Sequence, residues 1–500
     1  MFLMRGLWLL QKDKKLDSKK LKILFVSSEV DGLVKTGGLA DVAKSLPQAL
    51  IEKGHDVRVV MPFYSTINNR DQAQWVKQAQ LPSFSGSPVV DYQIYKTHSG
   101  VVPVYAIAKD EYYARPQIYA ENNQGYSDNG ARFAFLSCAA LDCAKQIDFK
   151  PDIVHCNDWH AGLVPLLLKN RYWNDPFFNQ AKSIITIHNA IFQGICPSDQ
   201  VYLIPEIYTK YLVQIEETYG WINFLKAGAI FADMINAVSP NYANELLTPE
   251  GGCGLDPILR QRHADFAGIV NGCDYSDWNA QVDPYLPAHY NSNPKSFLSG
   301  KALCKQVLQK QLHLPKKEVP LYGMVCRLTE QKGVHLLISI LDRFLLNDVH
   351  LVIEGTGDPI LAQQLTTIAL RHPQKMKFID RYDNKLAHLI EAASDFFMMP
   401  SVFEPCGLNQ LYSMAYGTLP IVRAVGGLQD TVVDYDWDKE NATGFVFSDI
   451  DAMDFLAKLQ RALILYLQDP DEFHRIQQQA MHQKFYWSDV AEKYLALYFK

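Results

Sequence analysis

The sequence predicts an α/β protein made of two doubly wound parallel-sheet units, and three observations carry that prediction. Short apolar runs recur along the chain and are continuous rather than alternating, as in strands covered on both faces. Helix-length stretches lie between them, giving a repeated strand-helix order. An irregular stretch from Asn271 to Ser299, with Pro284, Pro287 and Pro294, separates one series of runs from a second.

In the first series the runs are KILFVSSEV, HDVRVVMPFY, VVPVYAIAK, DIVHCNDWH, SIITIHNAIFQG and DMINAVSPNY. Helical patterns fall between them, among them DVAKSLPQALIEKG (41–54) and NGARFAFLSCAALDCAKQ (129–146). The second series is PLYGMVCRL, VHLVIEGTGD, KMKFIDRYD, DFFMMPSVFEPCG, LPIVRAVGG and GFVFSD, with helical stretches such as KGVHLLISILDRFLLN between. The expected organisation is an extension over 1–20, a first domain over 21–270, a linker over 271–299, a second domain over 300–480 and a closing segment over 481–500. In such a protein the ligand site is expected in the crevice at the strands' carboxyl ends, between the two units.

Composition narrows the function classes. A chain of 500 residues exceeds one compact domain, and 48% hydrophobic with 20% charged residues is ordinary for a folded globular protein. The formal charge of -6 offers no electrostatic basis for binding nucleic acid or an anionic membrane. An anionic ligand must therefore be held by a local pocket. Nine cysteines without a C-x-x-C pair argue against a disulfide framework or zinc ribbon, and point to a reducing cytoplasm. No apolar run reaches eighteen residues, so no membrane span is expected, and MFLMRGLWLL lacks the basic leader and cleavage site of a signal peptide.

Four constellations carry chemistry. Lys35-Thr36-Gly37-Gly38-Leu39-Ala40-Asp41 follows the first apolar run and opens a helix, where backbone N–H groups and the helix dipole favour an anion. A tight glycine turn with a solvated lysine is the plainer reading. Arg327 and Lys332 stand five residues apart at the end of the second series' first strand, a fork and a point charge suited to a diphosphate. Ordinary surface charges are the alternative. In Ser401-Val402-Phe403-Glu404-Pro405-Cys406-Gly407-Leu408 an acid precedes a predicted helix start, so its carboxylate can accept sugar hydroxyls while the following N–H groups face phosphate. Glu404 as a capping acid, and the Cys406 thiol as packing, are the alternatives. His155-Cys156-Asn157-Asp158-Trp159-His160 and His188-Asn189 supply the polar and aromatic groups typical of sugar sites, and their spacing fits no familiar zinc motif.

Two further motifs are decoys. Asp434, Asp436 and Asp438 imitate a divalent-metal motif, but Lys439 stands where a calcium loop needs glycine, and Phe445 where it needs an acid. Gly355-Thr356-Gly357-Asp358 lacks the third glycine of a dinucleotide loop.

The order of motifs is more specific than any one of them. KTGGLADV, HCNDWHAG, ITIHNAIFQG, AVSPNYANE, GIVNGCD, RLTEQKG, GTGD, FEPCGLNQLYSMAYG and VGGLQDTV closely resemble the bacterial glycogen synthase and plant starch synthase family, from about Lys22 to the C-terminus. The resemblance implies the GT-B architecture, two Rossmann-like domains facing a deep cleft, with the last helix crossing back to the first domain. It implies transfer of glucose from ADP-glucose to the non-reducing end of an α-1,4-glucan such as glycogen, with retention of configuration and no metal or other cofactor.

By the same resemblance Arg327 and Lys332 bind the donor phosphates and Glu404 binds the donor sugar. His188 faces the transferred glucose, and Asp158 and Asn271 lie near sugar and acceptor. Lys35, Gly37, Gly38 and Asp41 form the lysine turn, Cys406, Gly407 and Leu408 offer N–H groups to the distal phosphate, and Tyr382 stacks on adenine. The chain departs from the family pattern at Asp31-Gly32, at Phe192 where tyrosine is common, and at Val402 where arginine is common. The alternatives are a related transferase using UDP-glucose or a smaller acceptor, and a non-catalytic glucan-binding relative.

Overall fold

The computed structural model describes residues 19–121 and 124–500, so the extension expected over 1–20 lies almost wholly outside the described residues. The chain divides into two compact units, Met1–Ile235 with Ala491–Lys500, and Asn236–Val490. This division falls earlier than the sequence places it. The segment after Ile235 is tied to the second unit, with Ser239 Oγ donating to Pro405 O at 2.7 Å and Asn241 N–H to Asp430 at 2.8 Å. The stretch 271–299 behaves as part of that unit's core: Asp283, Tyr290 and Phe297 are buried, and the Trp278 indole lies between His388 and Tyr412 at 3.8 and 4.0 Å. Asp283 accepts hydrogen bonds from Tyr416 at 2.6 Å and from His388 at 2.8 Å. Prolines there shape a packed segment. They do not make a spacer.

In the first unit the large sheet is built from β1 (Lys22–Val26), β2 (Asp56–Pro62), β3 (Gln74–Leu81), β4 (Val90–Ser99), β5 (Val102–Ala108), β6 (Ile153–Asn157), β7 (Lys182–Ile187) and β8 (Met234–Ala237), the last containing the division. They are ordered β8-β7-β6-β1-β2-β5-β4-β3. The pairs β1–β2, β1–β6, β2–β5 and β6–β7 are parallel, and β4 pairs antiparallel with both β3 and β5. The antiparallel hairpin escapes a search for continuous apolar runs because β3 and β4 alternate polar and apolar residues, as an edge ribbon does. The connection after β1 leads to β2 on one side, while the chain returns to β6 on the other. The carboxyl ends of β1 and β6 therefore flank a topological switch point.

The second unit holds an all-parallel sheet of β9 (Leu321–Val325), β10 (His350–Glu354), β11 (Met376–Ile379), β12 (Phe396–Met399), β13 (Leu419–Arg423) and β14 (Phe445–Phe447). Its order is β11-β10-β9-β12-β13-β14, so the switch lies between β9 and β12. Tyr322, Leu351, Ile353, Phe396 and Ile421 are wholly buried, as strands covered on both faces must be. Helices such as Val334–Phe344 and Ala452–Gln468 lay apolar sides on the sheet. No helix among the described residues is long and apolar enough to cross a membrane.

Candidate active site

The second unit brings two of the predicted constellations together at its switch point. The loop after β9 carries Arg327 and Lys332, and the loop after β12 carries Ser401 to Leu408. Lys332 Nζ donates to Glu404 Oε2 at 2.6 Å, and Ser401 Oγ donates to the same oxygen at 3.0 Å. The two loops are also tied by Val402 N–H to Gln331 O at 2.8 Å. Gly333 holds a left-handed φ of 66°, and a Cβ there would stand 1.8 Å from Pro400 O, so only glycine lets the lysine loop lie this close. Arg327 is exposed and makes no hydrogen bond or ion pair with another described residue.

Glu404 is fixed from behind by residues to which no reading of the motifs gives a role. Gly427 N–H donates to its carbonyl, and Gly426 N–H donates at 2.8 Å to the carboxylate of Glu245. Arg423 donates to the carbonyls of Ser401 and Val402, so a guanidinium braces the backbone beside Val402. These residues lie in runs that look like strand ends and helix starts. Only proximity in the fold reveals that they support Glu404.

Cys406 is buried and receives the N–H of Asn271, which brings these two predicted residues together, and burial pushes the thiol up to about 12. That thiol is packing, not a nucleophile. Asn271 is itself buried, and its side-chain oxygen accepts no hydrogen bond from a described residue. The N–H groups of Gly407 and Leu408 likewise donate to no described residue, and Gly407 is left-handed at φ 75°. Tyr382 is 59% exposed and its hydroxyl donates to Asn384 at 2.9 Å. Among the decoys, Asp434 and Asp436 are both engaged by Lys458, and Asp436 by Arg461, which makes the acidic run an ion-pair network. Asp358 caps the helix Pro359–Arg371 through the N–H groups of Ile360 and Leu361.

In the first unit the lysine turn and the His188 group sit beyond the switch-point strands β1, β6 and β7. Lys35 Nζ lies 2.6 Å from Asp41 and 3.4 Å from Asp31. Burial alone would lower its pKa, but the two carboxylates outweigh burial and raise it. Burial lifts Asp41 to about 6 despite Lys35. The turn differs from expectation at its amides. Thr36 N–H and Gly37 N–H donate to the buried Glu29 carboxylate at 2.5 and 3.3 Å, and the Thr36 and Tyr119 hydroxyls donate to it as well. The anion at those two amides is the chain's own. Gly37 is extended at φ -162°, and a Cβ there would meet nothing within 4 Å, so neither backbone nor packing demands glycine. Gly38 is the first residue of the helix Gly38–Glu52.

Asp158 adopts φ 53°, unusual for a non-glycine residue, and this turns its buried carboxyl back under the next strand's end. There it accepts His188 N–H at 2.7 Å and Asn189 N–H at 3.4 Å. Burial nevertheless raises Asp158 to about 7. The half-buried His188 ring meets Asn157 Oδ1 through Nε2 at 3.0 Å, and desolvation lowers it to about 3, which keeps the imidazole neutral. His155 and His160 have other duties. His155 bonds Tyr498 and Thr186, each at 2.7 Å, and His160 stacks on Tyr119.

Comparison with known proteins shows the class to which this two-sheet fold belongs. Residues 22–261 match the family model of the starch synthase catalytic domain, and residues 306–483 match that of glycosyl transferases group 1. The protein is a glycosyltransferase of GT-B fold class. Among solved structures it is similar to the catalytic domain of starch synthase IV from Arabidopsis thaliana, bound to ADP and acarbose, with TM-score 0.86, 32% identity, and coverage of 96% of this chain and 99% of that one. A sucrose-phosphate synthase from Thermosynechococcus elongatus shares the fold at TM-score 0.60 and 18% identity, covering 96% of this chain and 98% of that one. The chain is 55% identical to the glycogen synthase of Aeromonas salmonicida over 478 residues, covering 96% of this chain and 98% of that protein. It is also 55% identical to the glycogen synthase of Photobacterium profundum, covering 97% of this chain and 96% of that protein. The chain belongs to the glycogen synthase family.

Proposed function

We propose that this glycosyltransferase moves glucose from ADP-glucose to the non-reducing 4-hydroxyl of an α-1,4-glucan in the cytoplasm, with retention of configuration. The observation that carries the reading is the Lys332–Glu404 pair beside an uncommitted Arg327 at the switch point of the second unit. As the glycosidic bond breaks, the nucleoside diphosphate gains negative charge and the sugar becomes oxocarbenium-like. Arg327 and Lys332 neutralise the first, with the Gly407 and Leu408 amides as further donors. Glu404 accepts the donor sugar's hydroxyls, and Tyr382 stacks on the base. Lys332 spends one of its ammonium's three N–H donors on Glu404, which leaves the others for phosphate.

In the first unit Asp158 aims the backbone of His188, and the neutral imidazole can accept or donate a hydrogen bond to the glucose without placing a charge there. Lys35 serves as a further cation for the donor, and Asp41 sets its position. Glycine at 37, which the fold itself does not require, fits a ligand that approaches the turn closely. Asn271 is read as a polar contact near sugar and acceptor.

The test is incorporation of labelled glucose into glycogen from ADP-glucose and UDP-glucose side by side, with and without chelator. Transfer from ADP-glucose that chelator leaves intact is expected. Transfer from neither donor would overturn the reading, and transfer from UDP-glucose alone would reassign the donor.

A further inference from the structure

Glu354 ends β10 and belongs to none of the groups assigned above, yet it touches both loops that the proposed function gives to the donor. Its carbonyl accepts Cys326 N–H at 3.1 Å, one residue before Arg327. Its side-chain Oε1 accepts Asp383 N–H at 2.5 Å, one residue after Tyr382. The neighbouring backbone repeats the link on both sides: Leu328 N–H donates to Thr356 O at 2.9 Å, and Gly355 N–H to Ile379 O at 3.1 Å. Glu354 is wholly buried, and its Oε2 has no hydrogen-bond partner among the described residues. A fully buried carboxyl group with one unsatisfied oxygen is costly to keep. A leucine would fill the same volume without that cost.

We infer that Glu354 is a positioning residue for the donor, fastening the base-binding loop at Tyr382 to the phosphate-binding loop at Arg327 and so setting the reach between base and diphosphate. The inference rests on the reading that Tyr382 and Arg327 hold the two ends of ADP-glucose. Its consequence is a donor affinity that depends on pH. Burial raises the Glu354 carboxyl to about 7; the Asp383 N–H lowers it, the Asp383 carboxylate raises it and Arg381 lowers it. In the anchored conformation the proton is retained to higher pH than in a solvated one, so raising the pH from the ordinary carboxyl value of 4.5 towards about 7 favours release of the loop, and the effect levels off above that. Glutamine keeps a carbonyl acceptor for Asp383 N–H but has nothing to titrate there.

The experiment measures KM for ADP-glucose and kcat, with glycogen saturating, from pH 5 to 8 for the wild type, E354Q, E354L and Y382A, with thermal unfolding of each. At pH 6.5 E354L is expected to raise KM about tenfold with kcat within about twofold, because one hydrogen bond to the loop is lost. E354Q is expected to stay within about twofold of wild type near pH 5, and to lack the wild type's rise in KM between pH 5 and 7. A residue that merely stabilises the fold would lower the melting temperature of E354L and leave KM alone. An E354L enzyme with wild-type KM overturns the inference, as does an E354Q enzyme with the wild type's pH profile. Either result leaves the donor-site reading intact if Y382A raises KM. A Y382A enzyme with unchanged KM instead overturns the assignment of Tyr382 on which the inference stands.

Discussion

Replacing Lys332 by alanine tests the centre of the site. In the folded protein the ammonium lies 2.6 Å from Glu404 Oε2, with the lysine side chain 20% exposed and that of Glu404 8%. Removing it leaves Glu404 with the Ser401 hydroxyl at 3.0 Å as its remaining side-chain donor. Breaking a fully buried pair costs roughly 3–5 kcal/mol, and partial exposure of the lysine reduces the expected loss of stability to about 2 kcal/mol. The effect on turnover is larger. On the proposed function, losing the cation assigned to the developing diphosphate charge costs about 3 kcal/mol of transition-state stabilisation, which is on the order of a hundredfold in kcat/KM. Initial rates of labelled glucose transfer from ADP-glucose give the second quantity, and urea unfolding gives the first. Arginine at 332 should recover part of the rate by restoring a cation, although its planar fork cannot reproduce the lysine's point contact. A K332A enzyme that loses the stability but keeps kcat/KM within about threefold would refute the reasoning, for the pair would then be a structural brace and nothing more.

Two further predictions follow from buried carboxyl groups with opposite shifts. Asp158 has its pKa raised to about 7 in the fold from 3.8, so between those values the folded state holds a proton that the unfolded chain has released. Stability from this group therefore falls as pH rises through that window, and D158N should flatten that slope in urea titrations from pH 4.5 to 7 while lowering kcat through an altered His188 contact. Asp283 is the reverse case. Burial would raise it, but hydrogen bonds from His388, Tyr416 and Tyr285 N–H outweigh burial and hold it below its ordinary value, so its contribution is lost as pH falls through the folded pKa. D283N should cost about 3 kcal/mol at pH 7 by urea unfolding and markedly less near pH 3; equal costs at both would show that the charge is not what the network uses.

Much of the fold was legible because parallel strands buried on both faces leave continuous apolar runs, and all twelve runs quoted from the sequence contain observed strands. The edge ribbon β3–β4 was not, since its signal is alternation on half-exposed strands. The stretch 271–299 reads as a linker from its prolines, whereas Trp278 and Asp283 pin it to His388, Tyr412 and Tyr416. These partners lie more than a hundred residues away in the chain, and no local pattern encodes such a pairing.

The same contrast holds at the site. Residue type and spacing are enough to nominate Arg327, Lys332 and Glu404, because a diphosphate calls for a fork and a point charge, and a sugar calls for an acid before a helix start. The composition likewise excludes a charge-driven partner, and the motif order points to the family. What the chain alone could not disclose is how those charges are spent among themselves. Glu29 occupies the amides of the glycine turn, Asp41 and Asp31 hold Lys35, Glu404 holds Lys332, and Glu354 joins two loops whose nearest sequence neighbours give no hint of it. Charge and hydrogen-bonding capacity belong to the residue, but which partner receives them depends on the order of strands in the sheet, and that order is decided only when distant segments pack.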